Sequence, residues 1–503
     1  METQIVWFKR DLRIADHAPL SAAAARGPVL ALVVDEPSLQ SLPDVSAQHL
    51  GFLDECVADL RGQLQVLGLP LLRVRGEMPA VLARLKASVG RFVLHSSEET
   101  GNLASYARDR AVAAWCREHA VAWHEYPSNG VVRRLKDRND YARIWQARMA
   151  AGPLPPPPAI TAAALPFAGE ESARVADTRQ RQRGGLRHAA RLLDSFLHTR
   201  GIDYRHAMSS PLSAAGACSR LSPYLTYGQL SIRQVMHALG EARRQWAEDA
   251  GRPRNVLPSL KSFESRLHWH CHFIQKLESE PQIEMRNLHP AYDGIREQFD
   301  PVLHGAWARG ETGFPMVDAC MRMLLATGWV NFRMRAMLVS FASYQLWQPW
   351  RPTALHLARE FLDYEPGIHY PQVQMQSGTT GINTARIYNP VKQALDQDPD
   401  GVFVRRWIPA LARVPAEYIF EPWRLPPALQ QACGCVIGRD YPVPVIDLAE
   451  RTRAARTAIY GVRRGEEFRE SAQQIHAKHG SRLRRGAKPK AVRAPQADLF
   501  GEG

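Results

Sequence analysis

The chain has 503 residues, with 64 Lys and Arg against 50 Asp and Glu and a formal net charge of +14. That length exceeds what one hydrophobic core organises, so two domains are expected, and no apolar run is long enough to span a bilayer. The basic balance favours a polyanionic partner such as nucleic acid, and seven scattered cysteines argue against a disulfide framework. Charges at Glu2, Lys9, Arg10, Asp11 and Arg13 argue against a secretory signal, so a cytoplasmic protein is expected.

Residues 4–8 read as an apolar strand, 18–25 as a helix and 29–34 as a buried strand. An amphipathic helix over 46–67 precedes a strand over 71–74, a helix over 78–88, a strand over 91–95, a helix over 103–119 and a last strand over 121–125. Strands alternating with helices predict a parallel, doubly wound sheet, which binds ligands at the carboxyl ends of its strands. No GxGxxG follows any of these strands, so the usual dinucleotide fingerprint is missing. The run 152–158, GPLPPPP, favours extended geometry. From 186 the pattern is helical and continues to about 462; beyond it the chain is charged and poor in apolar residues. The expected organisation is an α/β domain over 1–150, a linker over 151–185, an all-α domain over 186–462 and a basic, disordered tail over 463–503.

Within the helical part, residues 310–338 carry an unusual combination. Met316, Val317, Met321, Leu324 and Leu325 recur at helical spacing, yet Arg322, Arg333 and Arg335 sit among apolar neighbours. A buried guanidinium requires an anion or a ring of acceptors, which predicts a large, anionic, planar ligand. Arg322 falls on one helical face with Asp318, a spacing that also suits a structural pair. Ser222 followed by Pro223 reads as an N-cap and first turn, which with Ser219 offers hydroxyls beside free N–H groups to a diphosphate. His268, His270 and His272 alternate, but only His268 and His272 share a helical face and no acidic third ligand follows, so no metal is expected.

Five ordered segments carry a resemblance. They are residues 6–20 (VWFKRDLRIADHAPL), 219–235 (SRLSPYLTYGQLSIRQV), 310–322 (GETGFPMVDACMR), 385–393 (ARIYNPVKQ) and 398–411 (DPDGVFVRRWIPAL). Together they resemble the photolyase/cryptochrome family over nearly the whole chain. The resemblance implies an α/β sheet domain followed by an all-α flavin-binding domain, with FAD as cofactor. It places Tyr204, Ser219, Leu221 and Ser222 at the flavin's phosphates. It adds His270, Trp329, Glu365 and the ion pair Arg335–Asp363 as further cofactor contacts. Trp350 and Trp307 match the middle and outer members of the family's electron-transfer chain, and His369 matches an asparagine facing the flavin. Trp269, Arg266, Arg333, Met375 and Arg386 match positions around the lesion. The family's N-terminal sheet often holds an antenna chromophore, a deazaflavin or a folate.

Several positions depart from the family pattern. Val373 stands where the innermost relay tryptophan is usual and Met375 where a tryptophan stacks on the lesion. Arg266 replaces a glutamate, Phe332 an asparagine, Ala336 a methionine and Cys218 a threonine. The relay is therefore interrupted, with Trp347, Tyr364 or Tyr370 as substitutes. The expected function is light-driven repair of cyclobutane pyrimidine dimers in UV-damaged DNA by a monomer of a divergent bacterial branch, with a preference for single strands. The alternatives are a cryptochrome-like light sensor, a (6-4) photolyase and a flavin-free nucleic-acid binder. In the tail, Gln496, Leu499 and Phe500 belong to QADLF, which resembles the peptide with which bacterial repair proteins dock on the sliding clamp.

Overall fold

The computed structural model describes residues 2–170, 177 and 179–481. Five strands, β1 (Thr3–Phe8), β2 (Val29–Asp35), β3 (Leu71–Arg75), β4 (Phe92–Ser97) and β5 (Ala122–Tyr126), form one sheet. All pairs are parallel and the order is β3-β2-β1-β4-β5. Successive side chains alternate between faces, and both faces are covered. Ile5, Trp7, Leu30 and Leu32 pack with Leu82 and Leu85 of the helix Met78–Val89. Val6, Phe8, Ala31 and Val33 pack against the helix Ala47–Val66, in a cluster that continues into Leu260, Phe263 and Leu267 of the helical region. The sheet's second face is thus the seam between the two halves of the molecule. The strand order reverses beside β1, which puts a ligand crevice at the carboxyl ends of β1 and β4.

The seam is close. Gly228 (φ +69°) lies so near the Arg10 backbone that a Cβ would sit 2.3 Å from the Arg10 carbonyl oxygen. Only glycine reconciles that approach with a left-handed φ. The Arg13 guanidinium donates to the Gly228 carbonyl at 3.0 Å. The proline-rich connection is also tied down. Val29 N donates to Thr161 O and Ala163 N to Val29 O, both at 2.8 Å, and Glu170 N donates to Arg73 O at 2.7 Å.

The helical region includes α1 (Val256–Ser279), α2 (Pro315–Thr327), α3 (Phe332–Ser340), α4 (Trp350–Glu360), α5 (Pro366–Ser377) and α6 (Leu448–Val462). Its core is built from α2, α3 and α4 through residues such as Val317, Leu324, Met337 and Leu357. Arg322 and Asp318 do not pair as their spacing suggests. Asp318 accepts from Thr312 N at 2.8 Å and from the Tyr441 hydroxyl at 2.6 Å, while Arg322 donates to the Gly310 carbonyl at 3.2 Å. A buried carboxylate is better satisfied by several converging donors than by one side chain on its own helix.

The expected disorder from 463 onward is corrected over its first part, where Glu466–His479 forms a helix, α7. Glu466 and Glu467 in its first turn and His476, Lys478 and His479 in its last complement the helix dipole. Phe468 stacks on His289 at 4.1 Å and His479 meets Glu280 at 2.7 Å, so tertiary contacts stabilise a segment too polar to fold alone. Gln496, Leu499 and Phe500 lie outside the described residues. No described helix is long and apolar enough to cross a membrane.

Candidate functional site

A cavity of about 310 Å³ opens in the helical region between α1, the segment 218–222 and the start of α3. Its chemistry centres on Arg335 and Asp363, joined by two hydrogen bonds of 2.8 and 3.0 Å. Arg335 Nε donates to the Val330 carbonyl at 2.8 Å and its guanidinium lies 4.1 Å over the Phe361 ring. Burial alone would raise the Asp363 carboxyl. The charge and hydrogen bonds of Arg335, with the Ser222 hydroxyl, outweigh burial and hold it below the usual carboxylate range. The pair is therefore an ionised, rigid polar edge inside an apolar pocket.

Ser222 does not cap its helix. The short helix Ser222–Thr226 takes Leu221 as N-cap, which frees the Ser222 hydroxyl for Asp363. Ser219, Leu221, Tyr204, Trp329 and His270 all line the cavity. Burial pushes the Tyr204 phenol up to about 12 and the His270 imidazole down to about 4, so both face the cavity neutral. Glu365 does not reach this cavity. It pairs with Arg10 across the seam at 3.1 Å and borders an adjoining recess of about 80 Å³.

Arg220, between the two serines, was not singled out from the sequence. It adopts a left-handed φ of +60°, lines the cavity and stacks 3.9 Å over Trp329. Burial, only partly offset by Asp363, lowers it to about 10. A cation held under desolvation at this place suits a diphosphate. The SRLS context drew attention to hydroxyls; the left-handed turn that aims the arginine inward has no signature in residue type.

Arg266, Trp269, Arg333 and Arg386 line the same cavity, whereas Met375 does not. On α5 the face that carries Ile368 and Gln372 reaches the cavity, and Met375 lies one turn beyond it. His369 is also redirected. Its Nε2 bonds the Ala354 carbonyl of α4 at 2.9 Å and burial lowers it to about 4, which fixes a neutral ring with its donor turned away. Gln372 instead borders both the main cavity and the recess, and its Oε1 meets no partner among the described residues. Arg333 Nε and Asn331 Oδ1 are buried at the same cavity and equally unpartnered. Buried polar atoms left open in this way fit a polar ligand such as FAD.

Trp350 is buried, donates to Asn287 Oδ1 at 2.8 Å and contacts Tyr370 at 6.4 Å between ring centroids. Trp307 is fully enclosed, with His304 and His356 rings at 5.4 and 5.3 Å. An outermost electron donor should reach solvent, so this enclosure runs against the role expected for Trp307. Of the three alternating histidines, His272 faces Arg138 and His268 packs edge-on to Trp145. No group of three metal-ligating side chains occurs among the described residues.

A second cavity of about 210 Å³ lies at the carboxyl ends of β1, β2 and β4. Arg108 crosses its floor, bonded to Glu36 at 2.7 Å and Glu99 at 2.5 Å and stacked 4.6 Å over Trp7. Tyr364, the residue after Asp363, borders both this cavity and the recess beside Arg335.

These features agree with what the chain matches. Residues 4–145 match the model for DNA photolyase, and residues 263–460 match the model for the FAD binding domain of DNA photolyase. The chain is 30% identical over 467 residues to a deoxyribodipyrimidine photo-lyase of Streptomyces griseus, covering 90% of this chain and 97% of the relative. It is also 27% identical over 496 residues to cryptochrome-2 of Arabidopsis thaliana, covering 92% of this chain and 79% of the relative. The crystal structure of a bacterial class III photolyase from Agrobacterium tumefaciens superposes with a TM-score of 0.80 at 25% identity, over 92% of this chain and 98% of that one. The chain belongs to the photolyase/cryptochrome family, with a parallel-sheet domain ahead of an FAD-binding helical domain.

Proposed function

We propose that this protein is a light-driven DNA repair enzyme that splits cyclobutane pyrimidine dimers and prefers single-stranded DNA. The observation that carries this reading is one cavity that combines the Arg335–Asp363 edge with Trp269, Arg266, Arg333 and Arg386. Bound FAD supplies, when reduced and light-excited, the electron that opens the dimer. The residues do the positioning. Asp363 and Arg335 fix one polar edge, and Arg220 with Ser219 neutralises the phosphates. Trp269 offers an apolar face to the extruded pyrimidine dimer, while the arginines contact backbone phosphates. No proton donor or nucleophile is required, and His270 is neutral where it borders the cavity.

The cavity at the strand ends is the proposed seat of an antenna chromophore, a deazaflavin or a folate. The proposed setting is a cytoplasmic monomer, with Gln496, Leu499 and Phe500 docking a sliding clamp. Met375, which stands where a tryptophan stacks on the lesion and does not line the cavity, favours the second reading, a cryptochrome-like sensor. The test is illumination of UV-irradiated oligothymidine, single- and double-stranded, with chemically reduced protein. Dimers should disappear, faster in single strands. Dimers unchanged in both forms overturn repair, and reversal of (6-4) products alone reassigns the lesion.

A further inference from the structure

We propose that Tyr364 is the immediate electron donor to the light-excited, oxidised flavin, and that Asp44 takes its proton. The inference rests on the assignment of FAD to the cavity beside Arg335. Tyr364 follows Asp363 directly and borders the recess together with Arg335, Gln372 and His369. Its hydroxyl donates to Asp44 Oδ2 at 2.5 Å. Asp44 belongs to the other half of the molecule, in the loop before the helix Ala47–Val66, and is 3% exposed. Its Oδ2 also accepts from Asn102 Nδ2 at 3.3 Å and lies 3.5 Å from the Tyr370 hydroxyl. Its Oδ1 is buried and meets no partner among the described residues. Behind Tyr364, the Tyr370 hydroxyl is at 3.3 Å and the Tyr370 ring contacts Trp350.

Chemistry selects this pair. At the position where the family pattern puts the innermost relay tryptophan, Val373 holds no redox-active ring, and Trp347 packs away beside Arg296. Burial, then the neighbouring Tyr370 and Asp44, push the Tyr364 phenol well above its ordinary value, so it is protonated at rest. A phenol that loses an electron in an apolar interior must shed its proton at once, and a hydrogen-bonded carboxylate is the acceptor that makes this feasible. The step balances. The flavin gains one electron, the Tyr364 O–H bond breaks, and a new O–H bond forms on Asp44 Oδ2, leaving a neutral tyrosyl radical.

The experiment is electron paramagnetic resonance on the full-length, FAD-containing protein frozen after blue illumination, with ring-deuterated tyrosine to identify the radical. The wild type should give a tyrosyl signal that narrows on deuteration. Tyr364→Phe should abolish it, and Asp44→Asn should abolish it although the phenol remains. A purely structural Tyr364–Asp44 contact would lower the thermal midpoint of both variants while Asp44→Asn kept the radical. That result overturns the proposal, as does a wild type giving only a tryptophanyl signal. If Tyr364→Phe fails to fold, Asp44→Asn decides alone. Dimer splitting is measured separately on chemically reduced wild type, so failure here and failure of the repair reading are distinguishable.

Discussion

The two walls of the flavin cavity behave differently. The wall formed by Ser219, Leu221, Ser222, Trp329, Arg335 and Asp363 brings together groups the family pattern anticipates, with Arg335 and Asp363 held by each other. The wall formed by α5 carries residues of the wrong type at the anticipated positions, and the helix turns two of them elsewhere: His369 bonds Ala354 and Met375 passes beyond the cavity. The first wall meets charge, which only a few residue types can compensate at fixed distances. The second wall is largely a packing surface, where many side chains fill the same volume.

The largest effect expected is on the charged wall. Asp363→Ala leaves Arg335 without its counter-charge and should cost about 3–5 kcal/mol, as breaking a buried pair does. Calorimetry should show a lower unfolding midpoint, and gel filtration should show loss of the yellow cofactor; retention of both would erase the distinction between the walls. A smaller effect concerns two imidazoles at these walls, His369 buried and His270 half-buried. His270 and His369 have folded values of about 4 against an ordinary 6.5, both lowered mainly by burial. The unfolded chain therefore takes up protons that the folded one refuses. Stability contributed by each is complete above pH 6.5 and is lost as pH falls from there toward 4. Thermal midpoints measured across that window should drop, and His270→Gln or His369→Gln should flatten the slope. The smallest effect belongs to the α5 wall. Met375→Ala should change FAD affinity by less than about 0.5 kcal/mol in a titration of the cofactor-free protein, as for positions away from any specific contact. Loss of flavin binding would place Met375 at the cavity after all.

Much of the fold was legible because it depends on periodicity. Each of the five strands was anticipated to within two residues, since an alternating or continuous apolar run marks a buried parallel strand. The helix Glu466–His479 was not, because its apolar content is low and its support comes from Glu280 and His289, far away in sequence. In the site, Arg335 stood out as a guanidinium among apolar neighbours, while Asp363 and Trp269 were named only through the resemblance; the fold brings all three to one cavity. Arg220 was missed because its importance lies in a backbone turn, and the pairing of Glu365 with Arg10 was out of reach because Arg10 belongs to the other half of the chain.

The sequence by itself determined the family, the sheet-then-helices order and the demand for an anion beside Arg335, because composition, spacing and ordered motifs are local properties. Only the tertiary structure decided which groups answer one another. Tyr364 and Asp44 are separated by most of the chain, and their meeting depends on how the sheet's second face packs on the helical core. The same holds for Trp307, which the resemblance made the outer relay member and which His304 and His356 enclose. Side-chain type limits what a residue can do; packing across the seam settles what it faces.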